Sequence, residues 1–198
     1  MNTILISATI IFGLSSLFFF FKREKFGSDL PWLVSFITVL SYLVMIMLTQ
    51  TSIDPAGSLW TRWIGYAMSC TLLTISMTEL FAITGKQKLT ALVSTPLIML
   101  TGVLAAIATT PVLMMIFILL GMIPFISLIT IFQKASTPRN KFIFNYLYFG
   151  WMAFPVIFIL SPETFSIMPS LSIILVAYLI ADVCTKIIFY IQTQPLTR

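Results

Sequence analysis

Histidine is missing from this 198-residue chain, cysteine occurs only twice, and charged residues make up just 9% of it. Each shortage excludes something. Without imidazole there is no His-based catalytic triad, and zinc, haem and copper centres built on imidazole are ruled out. Cys70 and Cys184 both lie inside apolar runs, so no disulfide framework is expected. A soluble domain carries about 25% charged residues. The scarcity here excludes a soluble globular protein, a disordered chain and a nucleic-acid-binding domain. The net charge of +5 does not point to a polyanionic partner, because the basic residues sit between apolar runs. The N-terminus lacks a basic n-region and a small-residue cleavage site. Its apolar run therefore reads as a retained first helix, not a secretory signal.

What is abundant is apolar: 59% of residues are hydrophobic, and mean hydropathy is +1.07. A bilayer core needs about 20 apolar residues per helix. Seven runs qualify: Ile4–Phe21, Pro31–Thr49, Leu59–Ile83, Leu89–Ala108, Pro111–Phe132, Phe142–Leu160 and Pro169–Ile191. They are continuously apolar, not alternating, which favours helices over a barrel. Pro96, Pro124 and Pro155 fall inside spans, where membrane helices tolerate them. The expected fold is an all-α membrane protein, one seven-transmembrane-helix domain over residues 1–198. Short connections make successive helices antiparallel neighbours.

Loop charge orients the bundle. Lys22, Arg23 and Lys25 follow the first span, Lys86 and Lys88 the third, Lys134, Arg139 and Lys141 the fifth, and Arg198 ends the tail. The loops TSIDPAGS, ATTP and SPETFSIMPS carry no Lys or Arg. By the positive-inside rule the N-terminus is extracellular and the C-terminus cytoplasmic.

Four ionisable residues remain within spans: Arg62, Glu79, Asp182 and Lys186. Charge at membrane depth is costly and functional by default. Asp182 and Lys186 are four apart and share a helical face. A buried lysine can serve as a nucleophilic amine that condenses with an aldehyde. A plain ion pair holding helices together is the competing reading. For Arg62 the competing reading is snorkelling to the headgroups beside Trp60 and Trp63. For Glu79 it is a surface carboxylate paired with Lys86 or Lys88.

The seventh span reads Ala181-Asp182-Val183-Cys184-Thr185-Lys186, and the sixth reads Trp151-Met152-Ala153-Phe154-Pro155. The third reads Arg62-Trp63-Ile64-Gly65-Tyr66-Ala67-Met68-Ser69-Cys70. Together these segments resemble microbial rhodopsins across all seven spans. The resemblance implies all-trans retinal bound covalently to Lys186 as a protonated Schiff base, with Asp182 as a counterion. Trp151, Phe154, Pro155 and Phe158 would line one side of the polyene. Tyr66, Ser69, Cys70 and Leu73 would line the third-helix side, and Met122 would approach the ring end. Thr185 would influence colour, Tyr42 would hydrogen-bond Asp182, and Arg62 would organise the extracellular side. For each aromatic residue and Met, ordinary helix packing is the competing reading.

Departures from the family pattern bear on direction. Outward proton pumps have an acceptor aspartate where this chain has Gly65, and a donor carboxylate where it has Ser76. The Tyr66-x-x-Ser69-Cys70 pattern is similar to schizorhodopsins, which pump protons inward. That group has a functional glutamate at the Ser76 position. Glu79 falls within roughly 40° of the Gly65 face and would take its place. The resemblance therefore implies a light-driven inward proton pump, not an enzyme, in the plasma membrane, with possible trimeric homo-oligomerisation. Gly65 in place of a bulky residue leaves space for water or an anion. That space supports a rival, a light-driven chloride pump. A photosensor or light-gated channel is a second rival, and a cofactor-free seven-helix protein is a third.

Overall fold

The computed structural model describes residues 1–51, 61–168 and 170–193. Trp60 and the expected start of the seventh span at Pro169 lie outside the described residues. Helix α1 covers Asn2–Phe21, a short α2 covers Arg23–Phe26, and α3 covers Leu30–Thr51. The third span is α4 (Arg62–Leu80), followed by α5 (Gly85–Ala106), α6 (Pro111–Ala135) and α7 (Lys141–Leu160). The last span is α8 (Leu171–Asp182), continued by a π-helical segment (Val183–Ile188) and α9 (Phe189–Thr193). Among the described residues there is no strand.

Six of these spans are long and apolar enough to cross a membrane. The seventh helix of the bundle, α4, falls short in hydropathy because it carries Arg62, Glu79 and several Ser and Thr. It has a central place, contacting both α3 and α5 and burying Arg62, Tyr66, Ser69, Leu73 and Thr74. Chain order and local chemistry set the ends of the helices. Gly27, at φ 65°, closes α2 in the left-handed region that glycine adopts without strain. Thr110 accepts a hydrogen bond from the Leu113 amide and Pro111 occupies the first turn, so α6 starts there. α5 begins at Gly85, a turn before the expected apolar run, because a helix carries Lys86 and Lys88 past the apolar core at no cost to its backbone bonding.

In lipid, helices gain little from hydrophobic transfer against one another and associate by close packing. Two glycine contacts seat α4 against its neighbours. A Cβ on Gly102 would run into the Trp63 ring, which locks α4 against α5. A Cβ on Gly65 would run into the Ser41 hydroxyl, which locks α4 against α3. At the end carrying the loop lysines, here the basic end, Phe19, Leu73, Met77, Phe132, Leu147 and Phe189 belong to one apolar cluster. A second cluster joins Leu5, Phe12, Tyr42 and Leu175. A third joins Trp63, Tyr66, Cys70 and Phe158. These clusters fix α4, α7 and α8 around the charged residues.

Candidate functional site

Two buried ion pairs occur among the described residues, one within the last span and one joining α4 to the loop after α7. In the first, Lys186 Nζ lies 2.7 Å from Asp182 Oδ1, with side chains 1% and 0% exposed. The four-residue spacing places both on the face of the last span that looks into the bundle. Asp182 Oδ2 accepts two further hydrogen bonds, from Tyr42 Oη at 2.8 Å and Tyr66 Oη at 3.0 Å. The Lys186 ammonium also sits 4.4 Å from the centroid of the Tyr66 ring. Tyr66 therefore steadies both charges, the cation with its ring and the anion with its hydroxyl.

The Lys186 amine has no partner in hydrogen-bond geometry, and neither has Asp182 Oδ1. Their contact is thus an ion pair whose donors are not otherwise used. An ammonium carries three donors, and this one meets a single carboxylate oxygen and the face of the Tyr66 ring. The helix itself is distorted at this lysine. The π-helical segment Val183–Ile188 surrounds it, and the Phe189 amide reaches back to the Cys184 carbonyl. The Tyr146 hydroxyl donates to the same carbonyl at 2.8 Å, tying α7 to the distorted turn. Single π turns inside α-helices are frequent at functional sites.

Two cavities of different character share Tyr66 in their walls; Lys186 lines the smaller, and its neighbour Thr185 lines the larger. The larger is apolar, with about 110 Å³ open to the centre of a water molecule. Tyr66, Cys70, Met122, Trp151, Phe154, Pro155, Phe158 and Thr185 all line it. The smaller, of about 10 Å³, has room for one water and is lined by Tyr42, Arg62, Gly65, Ser69 and Lys186. The expected room at Gly65 is largely taken: the Ser41 hydroxyl occupies the place of the missing side chain. Ser69, fully buried with its hydroxyl unpartnered, faces this small cavity and not the apolar one. Leu73 is fully buried in the cluster at the basic end.

Sequence reasoning missed the wall contributed by α5, where Met99 and Gly102 line the apolar cavity. The only signal was Gly102, a small residue in an otherwise bulky run.

The second ion pair was also missed. Arg62 Nη1 donates to Glu163 Oε1 at 3.0 Å, and Nη2 bonds Glu163 Oε2 as well. Nη2 further donates to Tyr178 Oη at 2.9 Å, and the guanidinium lies 4.0 Å from the Tyr178 ring centroid. Arg62 is buried, so snorkelling to headgroups is overturned. Glu163 falls in the loop after α7, where no span pattern singles it out. Its signal was a carboxylate in a loop without Lys or Arg, at the same membrane depth as a span-embedded arginine. Replacing Glu163 with Ala should cost about 3 kcal/mol, because it takes a bidentate carboxylate away from a buried guanidinium. Thermal unfolding of the purified protein measures this, and an unchanged midpoint would show the pair to be dispensable.

Glu79 is exposed at the basic end. It lines a polar vestibule of about 420 Å³ with Ser76, Tyr190 and Thr193. Among the described residues it forms no ion pair with Lys86 or Lys88.

Comparison with known proteins places this geometry. A family profile described as bacteriorhodopsin-like protein matches residues 1–192. The structure is similar to that of schizorhodopsin 4, with TM-score 0.87 and 26% identity over 98% of each chain. It is also similar to halorhodopsin, described as a light-driven chloride pump, with TM-score 0.84 and 14% identity over 100% of this chain and 96% of that one. A third likeness is to a light-driven proton pump from Leptosphaeria maculans, with TM-score 0.80 and 17% identity over 99% and 92% of the two chains. By sequence, no curated protein matches significantly.

Proposed function

Because the chain belongs to the bacteriorhodopsin-like family, we propose that it is a retinal-binding protein of the cell membrane that moves protons inward under light. The fit to retinal rests on a fully buried Lys186 amine whose ring partner Tyr66 and neighbour Thr185 both line an apolar, aromatic-walled cavity. Lys186 would hold the aldehyde carbon through Nζ as a protonated Schiff base. Trp151, Phe154, Pro155 and Phe158 would form one wall, Tyr66, Cys70 and Met122 the other, with Thr185 at the lysine end. Retinal, when bound, supplies light absorption and an isomerisation.

The chain's own residues then decide where the proton on Lys186 Nζ goes. Asp182 is the nearest anion, but Tyr42, Tyr66 and Lys186 already supply its oxygens with donors and positive charge. Both of its oxygens are thus already engaged by cation and hydroxyl donors. Gly65 offers no second carboxylate. Beyond Asp182, the Arg62–Glu163–Tyr178 cluster closes the end away from the loop lysines. Toward the basic end lies the open, polar vestibule with Glu79. The positive-inside rule makes that end cytoplasmic. The asymmetry between an end whose charges are paired off in the Arg62–Glu163 bridge and an open one with a carboxylate unpaired among the described residues is the observation that carries the inward direction. Refilling of Lys186 Nζ would then come from outside, past Arg62.

Chloride transport fits less well. The small cavity beside Lys186 holds one water, Ser41 fills the room at Gly65, and Asp182 already supplies the negative charge.

The deciding experiment is the pH of an unbuffered suspension of retinal-fed expressing cells under illumination. Inward proton transport gives alkalinisation that protonophore abolishes. Acidification would point to outward transport, and protonophore-enhanced alkalinisation to anion uptake. With the signal established, Glu79→Gln should cut its initial rate by more than half while leaving the absorption maximum in place. An unchanged rate would mean that protons pass directly to vestibule water.

A further inference from the structure

We propose that the hydroxyl pair of Ser76 and Tyr190 is the proton gate between Lys186 and the Glu79 vestibule, a role that rests on the inward-transport reading. Tyr190 lies four residues past Lys186, about one turn toward the basic end. Its hydroxyl meets Ser76 Oγ of α4 at 2.8 Å. Both residues line the vestibule together with Glu79. One turn back along α4, toward Lys186, Leu73 is fully buried in the apolar cluster. The pair thus stands where the polar vestibule meets dry packing.

The arrangement is held rigidly. The Tyr190 ring packs edge-on against Phe19 and Phe189, with centroids 5.9 and 5.1 Å away. Ser76 Oγ also lies 3.3 Å from the Leu72 carbonyl, which can only accept. Serine has one proton. When it points to Leu72, Tyr190 must donate to Ser76, and no hydroxyl proton points into the vestibule. That orientation is the closed state.

Opening needs the Ser76 hydroxyl to turn off the Leu72 carbonyl. A proton arriving from the Lys186 side then binds the Tyr190 oxygen as the Tyr190 proton passes to Ser76 Oγ. The original Ser76 proton leaves to vestibule water or to a Glu79 oxygen. Each hydroxyl gains one proton and loses one, so nothing is oxidised and no charge stays on the pair. Glu79 is near enough to bear electrostatically on the Tyr190 hydroxyl and to draw the proton outward. Hydroxyl rotation restores the closed state.

The test uses the full-length protein, as Tyr190→Phe, Ser76→Ala and the double variant. Both substitutions keep the packing and remove one oxygen. Without retinal and in the dark, infrared spectra with labelled tyrosine should show a Tyr C–O band that is lost in Tyr190→Phe and displaced in Ser76→Ala. With retinal, flash-triggered proton release to a pH dye on the basic side should slow about tenfold in each single variant, the loss of one hydrogen bond in the path. The absorption maximum should not move, and the double variant should be no slower than either single. Release at the wild-type rate in both singles, an undisplaced infrared band or multiplying effects in the double variant would each overturn the gate while leaving inward transport standing. A moved absorption maximum would place the hydroxyls in the field at Lys186 and overturn it too. If the wild type itself releases no protons on the basic side, the transport reading fails and the gate falls with it.

Discussion

A Lys186→Ala protein is expected to fold, insert and remain colourless when supplied with retinal. Covalent attachment needs an amine at the end of the apolar cavity. The other lysines of the described residues lie at the basic end, outside the bundle interior, and cannot reach it. Deleting Nζ therefore removes the whole visible band and not a fraction of it. Borohydride treatment should yield no retinyl adduct on the variant chain and one on the wild type. The fold should survive, because Tyr42 and Tyr66 still donate to Asp182 and the aromatic clusters do not involve the lysine. A visible band of wild-type intensity in the variant would sink the assignment of Lys186.

Asp182→Asn should be nearly as severe, by a different route. The charge on Lys186 is balanced by a carboxylate 2.7 Å away, and both groups are out of contact with solvent. Removing one member of a buried pair costs about 3 kcal/mol or more. That disfavours the protonated form of the attached amine by roughly a hundredfold. At neutral pH the variant should absorb mainly in the near-ultraviolet, with a visible band returning in acid, and light-driven pH change should vanish. Tyr42→Phe removes one neutral hydrogen bond and leaves the carboxylate charged, so its effect should be a modest displacement of the visible band. Titrating the absorption spectra of the three proteins side by side separates these outcomes. A wild-type spectrum in Asp182→Asn would show that another anion balances the lysine.

Particular residues show how far the chain can be read without its fold. The pairing of Asp182 with Lys186 is legible because both lie on one helix, where a four-residue separation places side chains together whatever else surrounds them. Trp151, Phe154 and Phe158 are legible as a face for the same reason. Glu163 is not, since its partner Arg62 is 101 residues away and neither local pattern points to the other. Gly65 misleads in part. Its missing side chain suggests a void, whereas Ser41 of the neighbouring helix fills most of it, and nothing in either segment alone reveals that register.

Hydropathy and loop charge were enough to settle the class of molecule and which end carries the basic loops. Transfer of apolar side chains into lipid is a local, additive property that each segment carries with it. Pairing of donors with acceptors is different, because it depends on which faces of separate helices meet. Only in the assembled bundle do Tyr42 and Tyr66 converge on one carboxylate oxygen, Arg62 meet Glu163 and Tyr178, and Ser76 meet Tyr190. These contacts are set to within an ångström by helix rotation and by close approaches such as Gly102 on Trp63. Helix rotation and register between segments far apart in the chain are not local properties, and packing alone decides them.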